Sequence, residues 1–430
     1  MRLLICLFSP ATGTLGGLTR GLAIANAAKD AGHDVAFAAS GAVERDLRRR
    51  GHRVYSVPSP TMFGLPPALS RRIERRMTRA RLPIRPGRSF GSIWTVLLVS
   101  GYARAAFLER LVGAERRAAT EFGADGLFTD LDPGAYLLAT IENLPIASAF
   151  QSVMTSGVGS LPWRLIARAT SLVIRDAARV ARPPQEIFWG PDVLKLVPSI
   201  PPLDGGGDAR PDLRYVGYLA AAEGTNKAGG FMPESGVRYV FVYVGTGSLP
   251  LPFLERVLPE VFPDGGSLRC VVGGVSTAEP YRRGGVEFHS FVSAASLLPY
   301  SDWTICHGGL NTVIDSLRAG VPILAFPGPI FERRFNAERL ANSGAGLFAE
   351  VTQFEPAWLA SAITRHDEFV ASARRLGTAI DAGGGAKATM AAIEDWTRIR
   401  GADAAQIDMG CSDPQRLGQV PLVWFLTRAC

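Results

Sequence analysis

A histidine followed by two glycines, in the segment CHGGLNTVIDSLRAGVP that begins at Cys306, is the clearest candidate for chemistry in this sequence. The run before it has the aromatic and β-branched residues of a short buried strand, and the run after Leu310 has helical spacing. Glycines at such a turn let the backbone approach a ligand closely, and the helix N-terminus offers unpaired N–H groups with partial positive charge. The arrangement suits a phosphate group bound beside His307.

The helix after this turn is predicted to open near Asn311 and to end at Gly320, and Pro322 starts the next strand, VPILAF. Strand, helix and strand form one βαβ unit. Asn311 and Asp315 are four residues apart and share a helix face, so one ligand can touch both, phosphate first and sugar hydroxyls second.

A second interpretation of the same residues is structural. His307 would then be a strand-end histidine satisfied by the backbone, and Asn311 or Thr312 would only cap the helix.

Size and composition indicate a globular protein of two or three domains, because the chain has 430 residues with 47% hydrophobic and 20% charged. The start, MRLLICLFSPATG, is predicted to be a first strand, and no apolar run reaches the ~18 residues of a membrane span. A cytoplasmic location is therefore expected. The cysteines are scattered without ligand spacing, so neither a metal site nor a disulfide framework is predicted.

The net charge of +7 is concentrated in the segment from Arg71 to Arg88, which holds eight arginines and one glutamate. Charge alone is consistent with three interpretations of this segment: a nucleic-acid patch, a membrane-surface patch or a solvated helix face. No aromatic residues interleave with the arginines, so nucleic acid is not the predicted partner. The apolar run SFGSIWTVLLVSGY beside them favours contact with an anionic membrane surface over nucleic acid.

Two series of alternating strands and helices predict an α/β protein with two Rossmann-like, doubly wound parallel sheets facing a cleft. A connector rich in Pro and Gly after Arg182 separates the series. The predicted domains are residues 1–217 and 218–400. Residues 401–430 form a tail with no usable period.

Residues 291–346, FVSAASLLPYSDWTICHGGLNTVIDSLRAGVPILAFPGPIFERRFNAERLANSGAG, resemble the nucleotide-sugar-binding domain of the UDP-glycosyltransferase superfamily, which has the GT-B fold. The resemblance rests on an ordered series: a base-contacting turn, an HGG-x-N-[ST]-x-x-[ED] unit, a GVP strand, a polar pair and an N-A element. It implies inverting transfer of a hexose-type sugar from UDP- or dTDP-sugar to a hydroxyl of a small or lipid-like acceptor. It also implies no metal and no cofactor besides the nucleotide-sugar substrate.

The resemblance further implies a role for individual residues of the donor site. Glu332 and Arg333 stand where the family has an Asp-Gln pair for the sugar hydroxyls, and Val292 would contact the base through its backbone. The diphosphate would be held by His307, Gly309, Asn311 and Thr312, with Asp315 on the ribose and with Gly247 and Ser248 facing the phosphates from the other side.

The catalytic base is the point at which this sequence departs from the family. Members commonly place a histidine in the first turn of the N-terminal domain, and that position is Gly17 here. The aspartate that would orient this histidine corresponds to Asp130. Without the histidine, Asp130 could itself be the base, could bind acceptor hydroxyls or could cap the following helix. Thr12, Thr14 and Arg20 line the same turn, and Arg20 could bind an anionic acceptor.

Two other functions stay open. A nucleotide-sugar epimerase shares the two-Rossmann form, although it needs several acids and a histidine near the sugar. A non-catalytic homologue that binds nucleotide sugar or partners a true transferase is suggested by Gly17.

Overall fold

The computed structural model describes residues 1–8, 15–70, 72–73, 91–155, 161–179, 182–205, 210–221, 231–245 and 248–411. Several sequence predictions therefore lie outside the described residues. They concern Thr12, Thr14, Gly247, almost all of the arginine-rich segment 71–88 and the tail from residue 412 onward.

The first sheet has seven strands in the order β3-β2-β1-β4-β5-β6-β7, and every neighbouring pair is parallel. Residues 3–7 of β1 are all buried, as expected of a strand with helices on both faces of the sheet. The strands are β1 (Arg2–Leu7), β2 (Asp34–Ala39), β3 (Val54–Ser56), β4 (Gly126–Asp130), β5 (Ile146–Ala149), β6 (Val193–Val197) and β7 (Leu213–Tyr215).

The second sheet also has seven strands, in the order β10-β11-β9-β8-β12-β13-β14. Its pairs are parallel except for a hairpin of β10 and β11 at one edge, where Tyr281 stacks on Phe288. The sequence analysis missed this edge strand. The strands are β8 (Arg238–Tyr243), β9 (Leu268–Gly273), β10 (Tyr281–Arg283), β11 (Val286–His289), β12 (Ser301–Cys306), β13 (Ile323–Ala325) and β14 (Gly346–Phe348).

Helices join successive parallel strands and cover the sheets, which confirms the predicted pair of α/β domains. In the first half they are α1 (Leu15–Asp30), α2 (Gly41–Arg49), α3 (Ile93–Val99), α4 (Ala105–Phe122), α5 (Pro133–Glu142), α6 (Leu161–Ala178), α7 (Pro184–Trp189) and α8 (Pro201–Asp204). In the second half they are α9 (Leu251–Val261), α10 (Ala294–Leu297), α11 (Leu310–Arg318), α12 (Phe331–Asn342), α13 (Pro356–Ile363), α14 (His366–Ala382) and α15 (Gly385–Cys411).

Helix α15 leaves the second sheet and packs on the first. Its Met390 and Ile393 are buried in the same apolar cluster as Leu22 of α1, and Glu394 pairs with His33. Residues 385–400, which the sequence analysis assigned to the second domain, thus contribute to the core of the first. The boundary at residues 217 and 218 stays a prediction.

Residues 216–217 and residues 383–385 touch at the border of the two domains. The Gly385 N–H donates to the Val216 carbonyl at 2.8 Å. A β-carbon at Gly217 would lie 2.0 Å from the Ile380 carbonyl oxygen, and one at Gly383 would lie 2.6 Å from the Gly217 nitrogen. Only glycine fits at these crossing points.

Among the helices described, none combines the length and the apolar character needed to cross a membrane.

Candidate functional site

The turn between β12 and α11 brings two glycines against other groups of the protein. Gly308 has φ of 77°, and a β-carbon there would lie 2.8 Å from the Arg333 carbonyl oxygen. A β-carbon at Gly309 would lie 2.7 Å from Nε2 of His307. Neither position has room for a β-carbon, so both require glycine. Gly308 requires it also because its backbone is in the left-handed region.

The first residue of α11 is Leu310, and the N-cap is Gly309 without a side-chain cap. The alternative that Asn311 or Thr312 caps this helix is wrong, because both already lie inside it. Their side chains and that of Asp315 are half-buried on the first turns of the helix. Gly309 gives the N-terminal N–H groups no side-chain acceptor, while the Glu332 carboxylate accepts the N–H of Leu310. The partial positive charge of the helix is directed into the turn.

His307 is buried at the bottom of this turn, only 9% exposed, with its ring 6.1 Å from that of Tyr243. Its Nδ1 has no hydrogen-bond partner among the described residues. Burial, reinforced by the Arg333 guanidinium and opposed by the backbone of Tyr243, lowers the pKa of His307 to about 3. The imidazole is thus neutral at neutral pH and carries one ring N–H group.

Ser248 and Val292 lie at the same carboxyl edge of the second sheet. Ser248 lines a small recess together with Tyr243, Cys306 and His307, and its hydroxyl donates to the Phe326 carbonyl. Val292 follows β11 and is 7% exposed. It packs closely on Gly273, because a β-carbon at Gly273 would lie 3.2 Å from Cβ of Val292.

Glu332 and Arg333 begin α12 and lie against the turn. Asn336 Nδ2 donates to Glu332 Oε1 at 3.0 Å and to the Gly308 carbonyl at 2.9 Å, and the Leu310 N–H also reaches the Glu332 carboxylate. Burial raises the pKa of Glu332, although Arg333 and these donors act in the opposite direction. Burial lowers the pKa of Arg333, which lies close enough to act on His307 and Cys306. The turn therefore has a guanidinium beside it.

Asn336 is a functional candidate that the sequence analysis named only as part of the N-A element. Besides fixing Glu332 and Gly308, its Oδ1 accepts a hydrogen bond of 3.1 Å from Gln151 of the first domain. One buried amide thus links the turn, the Glu332 carboxylate and the opposite domain.

Asp130 ends β4 and points into the space between the domains, where Arg20 of α1 binds it. Arg20 Nε and Nη2 lie 2.9 and 2.8 Å from Oδ2 of Asp130, and Nη1 donates to Asn311 Oδ1 at 3.2 Å. A β-carbon at Gly17 would lie 2.8 Å from the same Oδ2. The guanidinium of Arg20 thus bridges Asp130 in the first domain and Asn311 of α11 in the second.

The cap of helix α5 is Asp132, whose Oδ1 accepts the Gly134 N–H at 2.9 Å. The prediction that Asp130 caps this helix is therefore wrong. Leu131 between them has φ of 73°, and the two carboxylates serve different partners, Asp130 with Arg20 and Asp132 with the buried Glu115.

Glu115 and Asp132 form a buried acid pair. Burial, reinforced by Asp132, holds the pKa of Glu115 well above its ordinary range, and burial raises that of Asp132 from 3.8 to about 7. The unfolded chain releases these protons near pH 4. The folded chain keeps the Asp132 proton to about pH 7, and it holds the Glu115 proton well above the ordinary range of that group. The folded state binds more protons in this window, so the free energy of unfolding falls as pH rises through it.

Glu115→Gln should reduce this fall in the free energy of unfolding with pH. The glutamine amide can donate a hydrogen bond to Asp132 and has no proton that titrates in this range. We expect the variant to be more stable than the parent at pH 8 by on the order of 2 kcal/mol, and to match it near pH 5. Denaturant unfolding at both values measures the difference. Glu121→Gln, an exposed change on the same helix, is the control. A parent protein with equal stability at pH 5 and pH 8 would contradict the assignment.

Within the described ranges, no three His, Cys, Asp or Glu side chains converge in a group able to hold a metal ion.

Comparison with known proteins links the turn to a family. The profile of the glycosyltransferase family 28 C-terminal domain matches residues 275–378, which contain the turn, α11 and α12. Demethyllactenocin mycarosyltransferase of Streptomyces fradiae is 30% identical over 169 residues, 38% of this chain and 36% of that protein. The structure of the glycotransferase of kitacinnamycin superposes with a TM-score of 0.68 at 17% identity, covering 92% of this chain and 98% of that one.

Residues 275–378 thus resemble a glycosyltransferase family 28 C-terminal domain.

The chain as a whole has the GT-B fold predicted from its sequence. The spinosyn rhamnosyltransferase SpnG shares the fold, with a TM-score of 0.62 at 18% identity over 92% of this chain and the whole of that one, in a complex with thymidine diphosphate. A second SpnG structure is a complex with spinosyn aglycone. It superposes with a TM-score of 0.61 at 19% identity, over 92% of this chain and the whole of that one. The sequence match spans about a third of the length of the mycarosyltransferase.

Proposed function

We propose that this protein is an inverting glycosyltransferase that moves a sugar from a nucleoside diphosphate donor to an oxygen of a small or lipid-like acceptor. The observation that carries the proposal is the turn itself: an uncapped helix N-terminus, a buried His307 with an unpartnered ring nitrogen, and Arg333 beside them. The names of the relatives, a mycarosyltransferase and a rhamnosyltransferase with thymidine diphosphate, support the same class of donor.

Departure of the diphosphate is the step these groups would assist. A nucleoside diphosphate leaves with more negative charge than it had in the donor, and fixed donors aimed at that charge lower the barrier. His307 would give a neutral N–H, α11 its first N–H groups and Arg333 a positive charge. Because these groups supply the stabilisation, the proposal includes no metal ion.

Other residues would place the donor. Asp315, one turn along α11, would accept hydrogen bonds from ribose hydroxyls, and Val292 would contact the base through its backbone. Glu332, fixed by Asn336, would accept from sugar hydroxyls. Thr312, Gly247 and Ser248 would line the phosphates.

Calorimetric titration with UDP, dTDP and their sugar conjugates tests the donor site. We expect binding of at least one nucleotide and slow release of free sugar from its conjugate. A protein that binds none of the common nucleotide donors is not a transferase of this kind. An epimerised nucleotide sugar in place of free sugar would identify an epimerase.

A second candidate is a homologue that binds nucleotide sugar without transfer. It is favoured by Gly17 and by the Arg20 to Asp130 ion pair, which occupies the place of the family's histidine and aspartate. Binding without release or transfer of sugar, unchanged by Asp130→Asn, would support it.

A further inference from the structure

The acceptor side of the cleft presents a guanidinium where proton removal from an acceptor hydroxyl needs a base. We propose that the acceptor is a carboxylate, bound by Arg20, and that the product is a glycosyl ester. This inference rests on the proposed function and narrows its acceptor from a hydroxyl to a carboxylate oxygen.

A base of the usual kind is missing from this position. Gly17 has no side chain, and the space that a side chain would enter is closed by Asp130, whose Oδ2 lies 2.8 Å from the point where a β-carbon of that glycine would stand. The chain has five histidines, and each is engaged elsewhere. Their neighbours are Glu394 for His33, Lys29 for His52, Glu287 for His289, Tyr243 for His307 and Asp367 for His366.

Asp130 is poorly placed to replace the histidine. The oxygen that faces Gly17 already accepts two N–H groups from one guanidinium, at 2.9 and 2.8 Å. Such charge-assisted hydrogen bonds are about twice as strong as neutral ones, and an acceptor hydroxyl would have to compete with them for the same oxygen. Glu332, the other carboxylate near Arg20, is held on the donor side by Asn336 and by the Leu310 N–H.

Arg20 has the features of a carboxylate-binding group. A guanidinium has five N–H donors, and Asp130 and Asn311 take three of them. Its side chain is 16% exposed, so it is held in place and still reachable from the cleft. An arginine fixed at both ends loses little conformational freedom on binding a second carboxylate, because its planar fork is already oriented. Asn311 also places it next to the proposed diphosphate site.

The reaction then needs no base. A carboxylate oxygen of the acceptor forms a bond to the anomeric carbon with its own electron pair, while the bond from that carbon to the diphosphate oxygen breaks. The electron pair leaves with the nucleoside diphosphate, and no proton is transferred. With a hydroxyl acceptor, one proton per turnover has to be removed. The carboxylate is ionised above about pH 5, so its reactivity is constant at neutral pH.

Matched pairs of acids and alcohols test the proposal. The full chain is incubated with the nucleotide sugar that it binds and with acetate or ethanol, octanoate or octan-1-ol, benzoate or benzyl alcohol. We expect sugar esters from the acids, detected by mass spectrometry and cleaved by hydroxylamine, at rates at least 10-fold above any alcohol product. The rate should be flat between pH 6 and pH 8, with no proton released in transfer.

Arg20 variants separate carboxylate binding from a structural role. Arg20→Gln should raise KM for the acid at least 10-fold and change KM for the donor less than 3-fold, and Arg20→Lys should restore part of the acid KM. Arg116→Gln, which removes an exposed ion pair with Glu142, is the control. Equal effects on both KM values, without recovery in Arg20→Lys, would show that Arg20 only links the domains and would overturn the assignment.

A gain-of-function variant gives an independent readout. Gly17→His combined with Arg20→Ala supplies an imidazole and frees Asp130 to orient it. We expect this variant to glycosylate the alcohols and to lose its preference for the acids. Nucleotide binding by each variant confirms that it is folded.

These experiments distinguish failure of the carboxylate proposal from failure of the proposed function. Absence of nucleotide-sugar binding would refute the transferase itself. Nucleotide binding together with alcohol products at rates equal to the acids, or with no ester from any acid, would overturn the carboxylate acceptor alone.

Discussion

His307→Ala is expected to lower turnover of the nucleotide sugar by about 10²- to 10³-fold, because one preorganised N–H donor to the departing diphosphate is lost. The ring is buried beside Arg333, and its Nδ1 has no hydrogen-bond partner among the described residues, so a ligand would complete its hydrogen bonding. The loss should fall mainly on kcat, since charge on the diphosphate grows as the sugar departs.

Release of sugar and transfer to an acceptor, measured at saturating donor, give the size of this effect. His366→Ala, which removes a histidine that lies on α14 next to Trp303, is the matched control and should stay within 2-fold of the parent. Because the pKa of His307 lies near 3, no loss of activity from its protonation is expected between pH 5 and pH 9. Turnover by His307→Ala within 3-fold of the parent would remove this residue from the donor site.

Asp212→Ala is expected to destabilise the protein by about 3–5 kcal/mol, the cost of removing one partner of a buried ion pair. Lys195 of β6 is only 1% exposed, and its ammonium group donates to the carbonyls of Trp189, Gly190 and Val193. Asp212 is its counter-ion. Without that carboxylate the ammonium charge stays in an apolar setting or must be given up, and both cost free energy.

Denaturant unfolding at pH 7 measures this effect. Arg210→Ala removes the second cation of the same carboxylate, and its guanidinium is 51% exposed, so it should cost less than about 1 kcal/mol. Burial would raise the pKa of Asp212, yet the hydrogen bonds from Lys195 and Arg210 hold it below its ordinary value. The stability from this pair is thus present above pH 4 and is lost as pH falls further. A cost below 1 kcal/mol for Asp212→Ala would contradict the account.

The unit around His307 could be predicted from sequence because its signals are local. The buried strand, the two glycines and the helical spacing lie within one short segment, and the structure places the helix start one residue before the predicted one. The strands of both sheets were also predictable, since parallel strands that are covered on both faces are continuous apolar runs.

The contacts of Arg20 could not be predicted from sequence because they join distant residues. Arg20 meets Asp130 and Asn311, which lie 110 and 291 residues further along the chain. Gly17 and Asp130 were each recognised by resemblance, but nothing local indicates that a guanidinium takes up the space between the domains. The same limit applies to Glu115, whose place on a helix does not show that it faces Asp132.

Because α15 packs on the first sheet, it limits where two proteins of this fold can be joined in a chimera. A chimera cut once, after residue 217, would bring a foreign helix to the place where Met390 and Ile393 of α15 pack against Leu22. The second sheet would be exchanged more cleanly by replacing residues 222–384 alone, because Leu219 packs in the first domain, and by keeping residues 385–411 with their native partner. Gly217 and Gly383, which touch at the crossing, would have to be preserved at both seams.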